Sequence, residues 1–374
     1  MKPRPITELT DIYGMRVIVR ASLDVPIKDG VAEDHFRITR AIPTIAYLVE
    51  RGARVILLTH VGRDPKNSTK PLQAVLQKYV PTQYVNGVVG EEVLGAITHM
   101  KEGTVLLLEN LRSCSEEENN NVAFAEMLAS YGFFYVNDAF AVSHRAHASI
   151  VGIPKYLPSF AGITFMEEYE ALSKAFTPDE PSLFMLGGAK FETKQPLIEA
   201  YVHTYTHTVI GGALANDFLK GKGYEVGTSL VSDESLVGNP LLHNENLILP
   251  VDVVAVRGEE KRVSDADAVR ADENILDIGP ATVALLAPYI KDAKTILWNG
   301  PLGYYEGGYD EATKACAKLI AESDAFAIVG GGDTVASIES LGLQDSFGFL
   351  STAGGAMLEF LEKKTLVGIE AIQP

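Results

Sequence analysis

Two sets of chemistry-bearing residues recur where short apolar runs of this chain end, and they differ in kind. In the first half the runs are followed by Ala21-Ser22-Leu23-Asp24-Val25-Pro26, His60-Val61-Gly62-Arg63, Asn110-Leu111-Arg112, and Asp138 through Arg145 to His147. Arg37 joins them from the start of the first helical stretch. The planar guanidinium fork matches carboxylate and phosphate oxygens. One such arginine alone reads as a solvated residue or a surface ion pair. Arg37, Arg63, Arg112 and Arg145 together form a basket for a small, multiply charged acid. His144 and His147 are equally suited to hydrogen bonds behind such a site.

In the second half the runs end in glycine: Leu186-Gly187-Gly188-Ala189-Lys190, Ile210-Gly211-Gly212-Ala213, Trp298-Asn299-Gly300-Pro301 and Val329-Gly330-Gly331-Gly332-Asp333-Thr334. Glycine at a strand-to-helix turn frees N–H groups at a helix N-terminus, where the dipole also attracts phosphate. Lys190 and Lys194 supply positive charge, and Asp333 is a hard oxygen ligand for Mg2+, so the set reads as a nucleoside triphosphate site. There is no Walker pattern, no dinucleotide fingerprint, and no Ser, Cys or metal constellation for hydrolysis. Phosphoryl transfer is what remains. His203 and His207 have the i, i+4 spacing of half a metal site but lack a third ligand, and are expected on a plain helix surface.

The elements that must position these residues alternate short β-branched runs with helical periodicity, the pattern of βα units on a parallel sheet. Strands are expected at Met15–Arg20, Arg54–Thr59, Thr104–Glu109 and Phe133–Asn137. In the second half they are expected at Ser182–Leu186, Thr206–Ile210, Leu247–Leu249, Lys294–Trp298, Ala325–Val329 and Phe347–Ser351. Arg37–Glu50 carries an apolar face at helical spacing, with a distortion expected at Pro43. Glu116–Asn121 reads as a short polar loop and helix start. The resulting organisation is α/β: a domain over 1–164, a connecting helix and linker over 165–181, a second domain over 182–356, and a C-terminal helix and tail over 357–374.

The chain has 374 residues, with 32 Lys and Arg against 49 Asp and Glu, a net charge of −17 that repels a nucleic-acid backbone. Residues 1–170 hold 17 basic and 20 acidic groups, the remainder 15 and 29, so the first half is spared, as an anionic ligand there requires. No apolar run reaches the ~18 residues of a membrane span. Only Cys114 and Cys316 are present, and Met1-Lys2-Pro3-Arg4 opens no signal peptide, which together point to the cytoplasm.

The same strings resemble the phosphoglycerate kinase family, in the family's order and over nearly the whole chain. They are Val19–Pro26, Phe36-Arg37-Ile38, Thr59–Arg63, Leu108–Arg112, Asn137–Phe140 with His144–Ser149, Leu186–Lys190, Leu276–Pro280, Trp298–Pro301, Gly330–Thr334 and Ser351–Ala356. The resemblance implies two doubly wound, Rossmann-like parallel-sheet domains joined by a hinge helix, with the C-terminal segment packing back on the N-terminal domain. It implies a monomer that transfers a phosphoryl group between 1,3-bisphosphoglycerate and ADP, giving 3-phosphoglycerate and ATP, with Mg2+ and hinge closure.

By position, Ser22, Leu23, Asp24, Arg37, His60, Val61, Gly62, Arg63, Arg112 and Arg145 would bind the phosphoglycerate, Arg37 also reaching the transferring group. Gly188, Ala189, Lys190, Lys194, Gly211, Gly212, Gly279, Asn299, Glu306, Gly331, Gly332, Asp333 and Thr334 would form the nucleotide side, with Glu306 on the ribose and Asp333 on the metal. Arg37, Lys190, Gly354 and Gly355 would be catalytic, the two glycines presenting N–H groups to the group in flight. The acceptor in this chemistry is a carboxylate already ionised at neutral pH, so no general base is needed.

The chain departs from the family at several points. Ser22 and Asp24 stand where the family usually has Asp and Asn, and Thr193, Ala213, Ala353 and Met357 replace Asp, Gly, Gly and Ser. Ala141-Val142-Ser143 replaces Gly-Thr-Ala, and the segment between Gly227 and Asp277 is shortened. A weakly active or non-catalytic relative, or a kinase for another small acid, are the alternative readings these departures motivate.

Overall fold

The computed structural model describes residues 2–33, 35–189, 191–233 and 236–373. Packing divides the chain into two units, Met1–Glu170 with Thr365–Pro374, and Ala171–Lys364.

The first unit is built on β1 (Arg16–Ala21), a small ribbon of β2 (Ile27–Lys28) and β3 (Val31–Ala32), then β4 (Arg54–Leu58), β5 (Thr82–Tyr84), β6 (Thr104–Leu107), β7 (Phe134–Asp138) and β8 (Ser159–Ala161). Apart from the ribbon these strands form one sheet in the order β5-β6-β4-β1-β7-β8, parallel at every pairing. The apolar runs are buried on both faces because helices cover both, as a parallel sheet requires. Val17, Val19, Val55, Leu57, Val105 and Val136 pack with Ile38, Ala41, Ile45 and Leu48 of helix His35–Glu50. That helix runs unbroken through Pro43.

The second unit contains β9 (Ser182–Leu186), β10 (His207–Ile210), β11 (Leu247–Ile248), β12 (Asp252–Arg257), β13 (Glu260–Asp265), β14 (Asn274–Ile278), β15 (Thr295–Asn299), β16 (Phe326–Gly330) and β17 (Phe349–Leu350). Six of them form a second wholly parallel sheet in the order β11-β10-β9-β15-β16-β17. Strands β13, β12 and β14 make a separate antiparallel sheet, its hairpin turning at Gly258 with φ +59.

Every expected strand is present. Not foreseen were the β2–β3 ribbon, β5 and β8, two or three residues per strand and too short to show a period, and the antiparallel sheet, whose β13 reads Glu-Lys-Arg-Val-Ser-Asp and exposes most of its length. His203 and His207 do not share a helix surface: His203 lies in the turn after helix Phe191–Tyr201. His207 opens β10, its ring against Tyr289 at 4.7 Å. Among the described residues no three His, Cys, Asp or Glu are grouped to hold a metal.

Helix Gly355–Lys363 packs within the second unit, where the Tyr201 hydroxyl donates to Leu361 O at 2.9 Å and Phe176 meets Phe360. Helix Val367–Ala371 belongs to the first unit, and the Gly368 N–H donates to Ser143 O at 2.8 Å. Among the described residues no helix is long and apolar enough to cross a membrane.

Candidate active site

In open parallel sheets ligands bind beyond the carboxyl ends of the strands. In the first unit those ends carry the arginine and histidine set. After β1, Leu23 turns inward and is anchored by its N–H to Thr59 Oγ1 at 3.2 Å, which leaves Ser22 and Asp24 half-buried on the open side. After β4, His60 and Val61 are buried, and Gly62, with φ +63, donates its N–H to Asp24 Oδ1 at 2.7 Å. His60 Nε2 lies 3.4 Å from Asp24 Oδ2.

Asn110, fully buried after β6, ties these turns together. Its amide donates to Val61 O at 3.0 Å and Asn67 O at 2.8 Å, and its Oδ1 caps the Arg112 N–H at 3.1 Å. Arg112 in turn donates to Gly62 O and pairs with Glu118 at 3.1 Å. Arg37 is exposed and donates to Asp24 O at 3.2 Å. Arg63 and Arg145 are exposed, the latter with its Nε 3.3 Å from His144 Nε2. Direct contacts therefore join Asp24, Arg37, His60, Gly62 and Arg112, while Arg63 and Arg145 reach into solvent.

The charge states follow from this geometry. Burial, with Arg20 and Arg112 nearby, pushes the His60 imidazole down to about 4 despite its contact with Asp24. Burial alone would raise the Asp24 carboxyl, but the His60 and Gly62 donors and the Arg112 charge together hold it at about 2. Asp24 is an anion and His60 a neutral donor at pH 7.

Behind this face lies a group the motifs did not single out. Arg20, 1% exposed, ends the run Val17-Ile18-Val19, and Glu117, 1% exposed, comes from the segment expected to be a polar loop. Glu117 in fact belongs to the short helix Ser115–Glu118 and is turned inward, while Asn121 starts the next helix by accepting the Phe124 N–H at 3.0 Å. Ser149 links the two buried charges. An arginine in an otherwise apolar strand run was the available signal.

In the second unit the carboxyl ends frame a cavity of about 460 Å3 whose walls include Gly188, Ala189, Gly212, Ala213, Glu306 and Asp333. Its apolar side comes from Leu230 and from Val253, Ile275 and Ile278 of the unforeseen antiparallel sheet. At two of the glycine turns the backbone N–H groups are used within the fold. The Gly188 N–H is bonded to Pro301 O at 2.8 Å and the Gly212 N–H to Leu302 O at 2.9 Å, so neither is free for a phosphate. The turns are instead stacked backbone against backbone: a Cβ at Gly212, where φ is +60, would lie 2.5 Å from Gly188 N. Gly211, with its N–H on Leu186 O, N-caps helix Gly212–Gly221. Helices Gly332–Ser340 and Gly355–Lys363 are N-capped by Gly331 and Gly354 and leave their first-turn amides without intrahelical partners.

Lys194 is buried and donates to Gly187 O; burial pushes its ammonium down to about 8. Asn299 Nδ2 lies 3.9 Å from Met357 Sδ, and Met357 fills the space a side chain at Gly330 would need. Thr334 is buried, and Asp333 is exposed without an ion pair among the described residues. Gly279 is outside the cavity wall: it packs on the Asp252 carboxylate and caps helix Pro280–Asp292. Lys190 lies outside the described residues.

The model of the phosphoglycerate kinase family matches residues 6–364. The phosphoglycerate kinase of Dictyoglomus turgidum is 42% identical, covering 97% of this chain and 96% of its own, and that of Clostridium beijerinckii is 42% identical, covering 97% of each. The solved phosphoglycerate kinase of Coxiella burnetii superposes with a TM-score of 0.87 at 36% identity over 99% of this chain and 98% of its own. That of Pyrococcus horikoshii gives 0.84 at 29% identity, over 99% and 98%. The chain belongs to the phosphoglycerate kinase family and is a phosphotransferase.

Proposed function

We propose that the first unit's arginine face holds 3-phosphoglycerate or 1,3-bisphosphoglycerate and that the second unit's cavity holds ADP or ATP, so that the chain moves a phosphoryl group reversibly between them. The observation that carries this reading is the division of labour between the sheets: guanidinium groups around an anchored Asp24–His60 pair on one, and an apolar cavity edged by Glu306 and Asp333 on the other.

On this reading Arg37, Arg63, Arg112 and Arg145 neutralise the acid's phosphate and carboxylate. Ser22 and Asp24 face its hydroxyl, with Leu23, Val61 and Gly62 shaping the floor. In the nucleotide half, the base lies on the apolar wall, Glu306 takes the ribose, and Lys190 and Lys194 meet the phosphates. The first-turn amides of the helices capped by Gly331 and Gly354 face the transferring group, with Gly332, Thr334 and Gly355 in those turns.

Asp333 fits a Mg2+ ion, being an exposed hard-oxygen ligand on the cavity wall, and this ion commonly takes only one or two protein carboxylates. Bound there, the metal would supply charge neutralisation on the nucleotide phosphates. The chain's own residues align donor and acceptor and exclude water, since the ionised acceptor carboxylate needs no base. In-line transfer requires the two ligands to meet, so the reading includes hinge bending, in a monomer acting in the cytoplasm.

A coupled assay of ATP-dependent phosphorylation of 3-phosphoglycerate, with and without Mg2+, tests it. Metal-dependent turnover is expected, and Arg37→Ala should abolish turnover while leaving nucleotide binding intact. Normal turnover in that variant would reject the role given to Arg37, and a preference for another acid would reject the substrate.

A further inference from the structure

We propose that Arg20 is a positioning residue for this reaction, fixing His60 in the tautomer that carries its proton on Nε2 and so directs an N–H at Asp24. The proposal rests on the placement of phosphoglycerate at this face, and deepens it.

A guanidinium has five donors and no acceptor. All three nitrogens of Arg20 are engaged: Nη1 donates to Ala21 O at 2.6 Å, Nε to Ser149 Oγ at 3.0 Å, and Nη2 meets His60 Nδ1 at 3.0 Å. In the last contact the imidazole nitrogen has to be the acceptor. Its lone pair therefore lies on Nδ1, the proton lies on Nε2, and Nε2 is the atom 3.4 Å from Asp24 Oδ2. With the Gly62 N–H on Oδ1, both carboxylate oxygens are then held by donors, and their remaining lone pairs are open to a substrate hydroxyl.

The direction of donation is continuous behind Arg20 as well. Ser149 Oγ, having accepted from Arg20, donates its own O–H to Glu117 Oε1 at 2.6 Å, and the Ser149 N–H donates to Glu117 Oε2 at 2.9 Å. Glu117 supplies the countercharge in the interior, with His147 Nδ1 3.8 Å away and the Tyr135 hydroxyl donating to Ser149 O at 2.6 Å. On the open side the charged neighbours are Asp24 and Arg112. A proton on Nδ1, or a fully protonated His60, would set N–H against N–H and cation against cation.

Burying such a pair is weak as a stabilising device, because apolar residues of the same volume often do as well. What an apolar residue could not do is hold an imidazole in one protonation pattern. In Arg20→Met, His60 is free to carry its proton on Nδ1 or to take a second one. Asp24 then loses a donor in one case and becomes half of a mobile ion pair in the other.

The test is the side-chain 15N spectrum of the full chain labelled at its eight histidines, with the His60 signal identified by its loss in His60→Gln. In the wild type at neutral pH, His60 should show a protonated Nε2 and a bare Nδ1. A protonated Nδ1 or an imidazolium would overturn the proposal, and this measurement stands even if no Arg20 variant folds. In Arg20→Met the titration of His60 should move up and the tautomers mix. The KM for 3-phosphoglycerate should rise on the order of tenfold, the scale of one lost charge-assisted hydrogen bond, with a smaller change in kcat. An unchanged tautomer, or a loss in kcat at constant KM, would overturn it. The tautomer is read without substrate, so failure of the functional reading, seen as absent turnover in the wild type, is distinguished from failure of this one.

Discussion

Lys194→Met separates the electrostatic cost of the nucleotide site from its use. The Lys194 ammonium is buried against Gly187 O with no carboxylate in contact among the described residues, and burial lowers its titration from 10.5 to about 8. At 1.36 kcal/mol per pH unit, the charged form is about 3 kcal/mol less favourable in the folded chain than in the unfolded one. Below pH 8 both states are protonated and the fold bears the whole cost. As pH rises from about 8 towards 10.5 only the unfolded chain keeps the proton, so the wild type should gain about 3 kcal/mol relative to the variant.

Comparing wild type and variant across pH removes the constant contribution of the lost hydrogen bond to Gly187. The assay is urea unfolding followed through Trp298, the single tryptophan, fully buried at the end of β15 and so a reporter of the second unit. Mg-ADP at a hundredfold excess over the wild-type Kd should add about 2.7 kcal/mol in the wild type and about 1.4 kcal/mol or less at the same concentration in the variant, whose Kd is raised on the order of tenfold or more. Parallel stability curves for the two proteins from pH 7 to 10 would refute the argument.

Other substitutions test the backbone and the first unit's buried acid. Gly212→Ala combines a left-handed φ of +60 with a Cβ 2.5 Å from Gly188 N, and should destabilise the second unit by at least about 2 kcal/mol in the Trp298 transition. Gly332→Ala meets nothing within 4 Å and should unfold like the wild type, so that any loss of turnover there reports ligand contact rather than folding. Burial raises Asp138 to about 7 from 3.8, and the Phe165 N–H and Thr44 only partly oppose it. The folded chain thus holds that proton more tightly, and stability falls as pH rises from about 4 to 7. Asp138→Asn should therefore be more stable than the wild type at pH 8, by up to about 4 kcal/mol in amide exchange of the first unit, and nearly equal to it at pH 4. Equal protection at pH 8 would contradict a costly charge at that position.

Much of this was legible because parallel strands are read from runs such as Val17-Ile18-Val19 and Leu183-Phe184-Met185, buried on both faces, and because ligand residues must follow their carboxyl ends. The antiparallel sheet was not, since β13 is polar along an exposed edge and its contribution to the cavity comes from β12 and β14. The glycine turns were located, but that the Gly188 and Gly212 N–H groups bond the Pro301 and Leu302 carbonyls depends on how the turns stack, which local pattern does not encode. Glu117 was hidden for a related reason. A run of three glutamates and three asparagines looks solvated, and only its tertiary placement opposite Arg20 turns one of them inward. The Met357 departure is accommodated by Gly330, whose missing side chain leaves room for the thioether.

The return of residues 365–373 to the first unit sets a schedule for synthesis. Leu366, Ile369 and Ile372 are buried in that unit, and helix Val367–Ala371 packs on Ala148–Gly152. The residues from 171 to 364 must be translated first, which at ~5–20 residues per second takes about 10 to 40 s. During that interval the first unit exists without its closing helix, its apolar Ile150 side uncovered, and it is completed only after the last residue of the second unit has been made. The sheet that begins first thus belongs to the unit whose sequence is completed last, and pulse proteolysis of ribosome-bound chains stalled before and after residue 373 reads that delay directly.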